Sequence, residues 1–307
     1  MEFDDQHVDV SGVDDQRGGG GGGRGRIGGG TAVAGGGGVL ALVVTVIVIL
    51  LGGGGSGATG PGGIDLSQLV PGAVAGGTTG ETSAELQTRC NTEGAIDKYD
   101  DCFLIKVYDE TDEVWSAEFT LIGQPYHRPR LTFFSGGVAT GCGNATSEVG
   151  PFYCPPDEKI YIDVDFLNQL QQQFGATGRY AQAYILAHEF GHHLQTLLGI
   201  EPKVRKAQKA NPRQANALSV KLELQADCFA GVWGNLASAA GNVTVTQAEV
   251  AEAQNAAAAV GDDRIQAQAG VRVNPEKWTH GSAADRKRWY TTGFDSGDIN
   301  RCDTFAA

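Results

Sequence analysis

The sequence predicts an α+β domain behind one N-terminal transmembrane helix, and three observations carry that prediction. Segments with strand character precede several segments with helical periodicity. One uncharged apolar stretch stands near the N-terminus, apart from the other large hydrophobic residues. Most of the 46 glycines fall before position 81, whereas all six cysteines and all four tryptophans fall after it. A stretch of Gly, Ala and small polar residues cannot offset the entropy of ordering itself. The folded domain is therefore expected over residues 81–307.

Residues 1–30 are acidic and glycine-rich without periodicity, and read as a disordered cytoplasmic tail. The anchor is expected over residues 31–55. Val39 to Leu51 is an unbroken apolar run, no charge occurs between Arg26 and Asp65, and Thr31 to Leu51 supplies 21 residues. About 20 are needed to cross a bilayer core. A cleaved signal peptide competes with this reading, since Ser56 and Ala58 are small, but its charged leader would be unusually long. Arg17, Arg24 and Arg26 precede the run, and the next basic residue is Arg89. The basic side stays cytoplasmic, so the domain is expected outside. Residues 56–80 read as a Gly-rich flexible linker.

The cysteines agree with an oxidising compartment. Six permit 15 pairings. The two separations of 12 residues favour Cys90–Cys102 and Cys142–Cys154, which leaves Cys228–Cys302. The net charge of −13, without a block of Lys or Arg, argues against a nucleic-acid partner.

Within the domain, Trp115, Phe119 and Ile122 follow at helical spacing after "DETDE", which reads as the acidic first turn of a helix. "RLTFF" and "KIYIDVDF" read as strands, the second with Ile160, Ile162, Val164 and Phe166 on one face. The Gly/Pro-rich segment between them reads as a loop held by Cys142 and Cys154. Helices are then expected over 178–198, ended by Gly199 with Pro202 as a stop signal, and over about 214–237. A further helix starts at a capping box of Thr246 and Glu249.

The chemistry is concentrated in "ILAHEFGHHLQ". His188 and His192 stand four apart on the predicted helix, so both imidazoles project from one face and can bind one ion. Glu189 is turned about 100° away, beside the ligands and not among them, where a general base would sit. Gly191 costs about 1 kcal/mol relative to alanine in a helix interior, which implies that a close neighbouring element or the crowded metal site needs its missing side chain. Catalytic zinc needs a third protein ligand and an open position. In "KLELQADCFAGVW", Glu223 and Asp227 share a helix face; Glu223 is the expected third ligand and Asp227 the acceptor for a ligand histidine's free N–H. His193 points about 100° away from His192 and is expected to support the site without ligating.

With these motifs, "GCGNATSEVGPFYCP" and "WTHGSAADRKRWYTTGF", the chain resembles the bacterial neutral zinc metallopeptidase family over about residues 84–305. The HExxH followed by a downstream ExxxD is similar to the gluzincin arrangement. That resemblance implies a zincin-like fold, with a small sheet packed on active-site helices, a Zn2+ cofactor, and His188, His192 and Glu223 as ligands. It implies a peptidase in which Glu189 is general base to a metal-activated water acting on a peptide or protein substrate. His280 in "WTHGS" is the candidate oxyanion donor, with a helix cap as its alternative; Tyr180, Tyr290, Arg286 and Arg288 are further donors. The layout also implies a substrate-pairing edge strand within "LTFFSGGVA". Two readings compete with the peptidase: a His2Cys site using Cys142, and an inactive zinc-site envelope protein acting by binding.

Overall fold

The computed structural model describes residues 1–17, 80–174 and 178–306. A four-stranded sheet has the order β2 (Val13–Asp15), β3 (Arg130–Phe133), β7 (Lys159–Ile162), β6 (Phe152–Cys154). β2, β3 and β7 are parallel, and β6 runs antiparallel to β7 at one edge. A two-residue strand, β1 (Glu2–Phe3), pairs with β8 (Val243–Thr244), and β4 (Gly137–Thr140) forms a hairpin with β5 (Gly143–Thr146). The helices are α1 (Ser83–Cys90), α2 (Ala95–Lys98), α3 (Asp100–Leu121), α4 (Val164–Phe174), α5 (Arg179–Leu197), α6 (Ile200–Ala210), α7 (Ala215–Ala240), α8 (Gln247–Ala259), α9 (Asp262–Gln268) and α10 (Ala283–Ser296). This is the expected mixture of helix and sheet.

The core lies between the sheet and α3, α5 and α7. Trp115 and Phe119 of α3, Phe190 of α5, and Phe229 and Trp233 of α7 are all buried there, with Trp115 edge-on to Phe229. These apolar faces are what align α5 and α7, the helices that carry the expected ligands. Thr246 caps α8 in the expected box with Glu249. The three disulfides are Cys90–Cys102, Cys142–Cys154 and Cys228–Cys302. With Cys142 in a disulfide, the His2Cys alternative loses its thiolate.

The N-terminus departs furthest from the pattern its sequence suggests. The expected disorder does not hold for residues 1–17. Val13, Asp14 and Asp15 pair with Leu131, Thr132 and Phe133, and Val8, Val10 and Val13 are buried in the main core. Arg17 reaches Asp101, which also binds Arg89, and the Glu81 N–H donates to Asp15. A Cβ on Gly80 would stand 2.4 Å from the Arg17 carbonyl oxygen, so the chain leaves at Arg17 and returns beside it at Gly80. The expected anchor over 31–55 lies outside the described residues; among the described residues no helix is long and apolar enough to cross a membrane.

Smaller differences have local causes. α3 begins at Asp100, so "DETDE" is mid-helix and the acidic first turn is Asp100 and Asp101. The strand "KIYIDVDF" stops at Ile162, and Val164 starts α4. Asp163 accepts from the Phe166 N–H, which offers the backbone a helix start where alternation predicted strand. The expected loop contains β4, β5 and β6. Gly199 ends α5 in the left-handed region (φ 67°), but Pro202 lies in the first turn of α6, where no helical N–H bond is lost.

Candidate metal centre

His188 and His192 sit one turn apart on α5 and Glu223 faces them from α7, all three buried. His188 Nε2 is 3.2 Å from one Glu223 oxygen, and His192 Nε2 is 3.5 Å from the other. Ligand atoms at ordinary zinc bond lengths and tetrahedral angles stand about 3.3 Å apart. One ligand atom from each of the three lies within 4.8 Å of the others.

The chemistry of this donor set fits a cation. His188 Nδ1 donates to Asp227 (2.9 Å), and His192 Nδ1 donates to the Gln195 side-chain carbonyl (2.9 Å). With Nδ1 of each ring committed as donor, Nε2 of each is the atom that faces the Glu223 carboxylate. When the rings are neutral these are three acceptors in close approach, which repel unless a proton or a metal cation lies between them. Burial disfavours ionised Glu223, but the positive field of His192, His188 and His280 outweighs it and holds the carboxyl far below its usual range. Burial likewise opposes charge on His188, yet its bonds to Asp227 and Glu223 prevail and raise it to about 9. The pocket selects positive charge.

Glu189 is buried beside the three and is not one of them. Burial raises its carboxyl to about 7, opposed by His188 and by the Tyr153 backbone N–H. That N–H belongs to β6, so the edge strand next to α5 is Phe152–Cys154. The expected edge in "LTFFSGGVA" is corrected accordingly: β3 is interior, flanked by β2 and β7, and Gly137–Thr140 belongs to the separate hairpin.

His193 is fully buried and faces away from the cluster. It donates through Nε2 to the His127 carbonyl (2.8 Å), and its Nδ1 accepts from the Tyr153 hydroxyl (3.0 Å), which ties α5 to β6 and the loop before β3. Burial pushes its pKa down to about 4. Gly191 has the expected close neighbour: a Cβ there would meet the Ala226 Cα at 3.1 Å and carbonyl oxygen at 3.2 Å.

His280 is buried in the loop before α10, near enough for its charge to act on Glu223. It is not a helix cap, because Ser282 caps α10. Its Nδ1 contacts Asp262 (3.1 Å), and Asp262 also accepts the backbone N–H groups of Thr279 (2.8 Å), His280 (2.6 Å) and Gly281 (2.9 Å). This acidic residue at the start of α9 thus sets the loop and the ring together. Tyr180 and Tyr290 hydrogen-bond each other within the core (3.2 Å), and Arg288 is an exposed partner of Asp285. Neither tyrosine nor Arg288 is among the groups around the three ligands.

Sequence reading missed Gln195, Asp262 and Tyr153. Gln195 had a usable signal, three residues after His192 on the same helix face. Nothing in the sequence connects Asp262 with His280, or Tyr153 with Glu189.

The family described as "Putative neutral zinc metallopeptidase" matches residues 1–305. "Uncharacterized protein YpfJ" of Escherichia coli K12 is 48% identical over 196 residues, covering 64% of this chain and 68% of that protein. "Uncharacterized protein Rv2575" of Mycobacterium tuberculosis H37Rv is 45% identical over 229 residues, covering 72% and 75%. No solved structure matches the chain.

Proposed function

The chain belongs to the neutral zinc metallopeptidase family, and on that premise we propose that it is a zinc-dependent peptidase that cleaves within peptide or protein chains. The observation that carries this reading is the convergence of two imidazole Nε2 atoms and the Glu223 carboxylate at zinc-ligand spacing, with a fourth buried group, Glu189, poised beside them. Three protein ligands leave a position open, as in catalytic and not structural sites.

A zinc ion held there supplies Lewis acidity, acidifying water and polarising a peptide carbonyl. Glu189, buried beside the three ligands, would take the proton from the attacking water and return it to the leaving amine. Asp262 holds His280 by Nδ1, which leaves Nε2 as the donor to the developing oxyanion when the ring is protonated. β6 offers a backbone edge along which an extended substrate can pair.

The test compares the full disulfide-bonded chain with Glu189→Gln for zinc content and for cleavage of a diverse peptide library. Glu189→Gln should keep its zinc and lose about 10²- to 10⁴-fold in kcat. Equal cleavage by both proteins, or none by either with zinc bound, would overturn the peptidase reading.

The domain is further proposed to work outside the cytoplasm and to associate with the membrane through the apolar run Val39–Leu51. Three disulfides support the compartment. Residues 1–17 then lie on the same side as the metal centre, because they are part of its fold. Cysteines placed at exposed Ser11 and Lys203 should react equally with a membrane-impermeant maleimide on intact cells. Labelling of Ser11→Cys only after permeabilisation would show the packed N-terminus to be wrong.

A further inference from the structure

We propose that Arg286 is a positioning residue of the metal centre: arriving from α10, its guanidinium fixes the Asp227 carboxylate that orients the His188 ring for metal binding. This rests on the zinc-site reading above. The triplet Arg286, Lys287, Arg288 contains one buried member; Arg286 is 3% exposed while the other two face solvent. Its Nε donates to Asp227 Oδ2 (2.8 Å) and its Nη2 to Oδ1 (2.9 Å), a two-pronged contact that sets the carboxylate plane as well as its place. Oδ1 also accepts from the Tyr184 hydroxyl (2.5 Å) and from His188 Nδ1 (2.9 Å). Asp227 is fully buried, so without Arg286 it would lose its permanently charged partner and keep only the His188 ring and the Tyr184 hydroxyl. The same guanidinium lies 4.0 Å from Glu223, so one side chain balances both carboxylates of α7.

The backbone is built to deliver it. Gly231, one turn after Asp227 on α7, meets Gly293, two turns after Arg286 on α10. A Cβ on Gly293 would fall 1.9 Å from the Cys228 carbonyl oxygen, and one on Gly231 2.1 Å from the Tyr290 carbonyl oxygen. The helices therefore touch backbone to backbone, and Cys228–Cys302 ties the chain just beyond α10 to the residue after Asp227.

The experiment uses the full disulfide-bonded chain and three variants, Arg286→Leu, Arg286→Lys and, as control, Arg288→Leu. Zinc affinity is read by competition with a chromophoric chelator, and the His188 imidazole nitrogens by NMR after chelator treatment. Arg286→Leu should weaken zinc binding by about 10- to 100-fold and displace the His188 Nδ1 resonance. Arg286→Lys, which keeps the charge but not the fork, should recover part of the loss, and Arg288→Leu should change neither. If Arg286→Leu does not fold, Arg286→Lys carries the test, because it must still weaken zinc and move His188. A folded Arg286 variant with wild-type zinc affinity and an unmoved His188 resonance overturns the proposal. If the wild-type chain itself takes up no zinc, the metal reading fails, and the His188 resonance alone decides the role of Arg286.

Discussion

The metal centre and the N-terminal segment are both buried and both join distant parts of the chain, but different forces hold them. Around His188, His192 and Glu223 the contacts are polar and directional: Asp227, Gln195 and Arg286 each hold another group in place. Residues 8–15 are held by apolar burial of Val8, Val10 and Val13 and by strand pairing with β3. A directional network aims side chains and adds little net stability. Apolar burial adds stability and aims nothing. The two regions should therefore fail separately, the first by losing function in a folded protein and the second by losing the fold around a correctly built site.

Deleting residues 1–17 is the strongest way to break that separation. Burying three valines contributes about 1.5–3 kcal/mol each, or roughly 5–9 kcal/mol together. Thermal denaturation should show a midpoint lower by at least about 10–20 °C. The fraction that remains folded should bind zinc with unchanged affinity. A large loss of affinity in folded, truncated protein would mean that the segment also shapes the site. Glu189→Gln is the mirror case, with catalysis lost and the melting temperature nearly unchanged.

Gly293→Ala should join the two behaviours. Its Cβ would overlap the Cys228 carbonyl, so α10 must shift away from α7, at a cost of about 1–3 kcal/mol. The shift carries Arg286 with it, so both melting temperature and zinc affinity should fall. Unchanged affinity in a destabilised Gly293→Ala protein would confine the α7–α10 contact to stability.

The smallest effect is in pH dependence. Burial works against ionised Asp101, but Arg89 and Arg17 outweigh it and hold its pKa below the ordinary 3.8; Asp15 and Glu81 complete the cluster. A carboxyl depressed on folding stabilises above its unfolded pKa, and that contribution is lost as pH falls through the folded value. The melting-temperature gap between wild type and Asp101→Asn should be constant from pH 7 to about pH 5 and should close below about pH 4. A gap that widens on acidification would exclude Asp101 as the clasp joining Arg17 to the chain beyond Gly80.

What was legible in the sequence was local or covalent. HExxH spacing on a helix places His188 and His192 on one face, because helical periodicity is a property of the backbone alone. Gly191 announced a close neighbour because a glycine inside a helix is costly without one. Cysteine separations pointed to the two short disulfides, since nearby cysteines meet with little loss of entropy. Tertiary structure decided the rest. Val13 finds Leu131 across more than a hundred residues, and no local pattern in an acidic, glycine-flanked segment distinguishes such a strand from a tail. The same holds for β6 as the edge beside Glu189, for Asp262 beneath His280, and for Arg286 as the buried one of three neighbouring basic residues. Hydrogen bonds between separate elements depend on which faces pack together, and packing is settled only when the whole core forms.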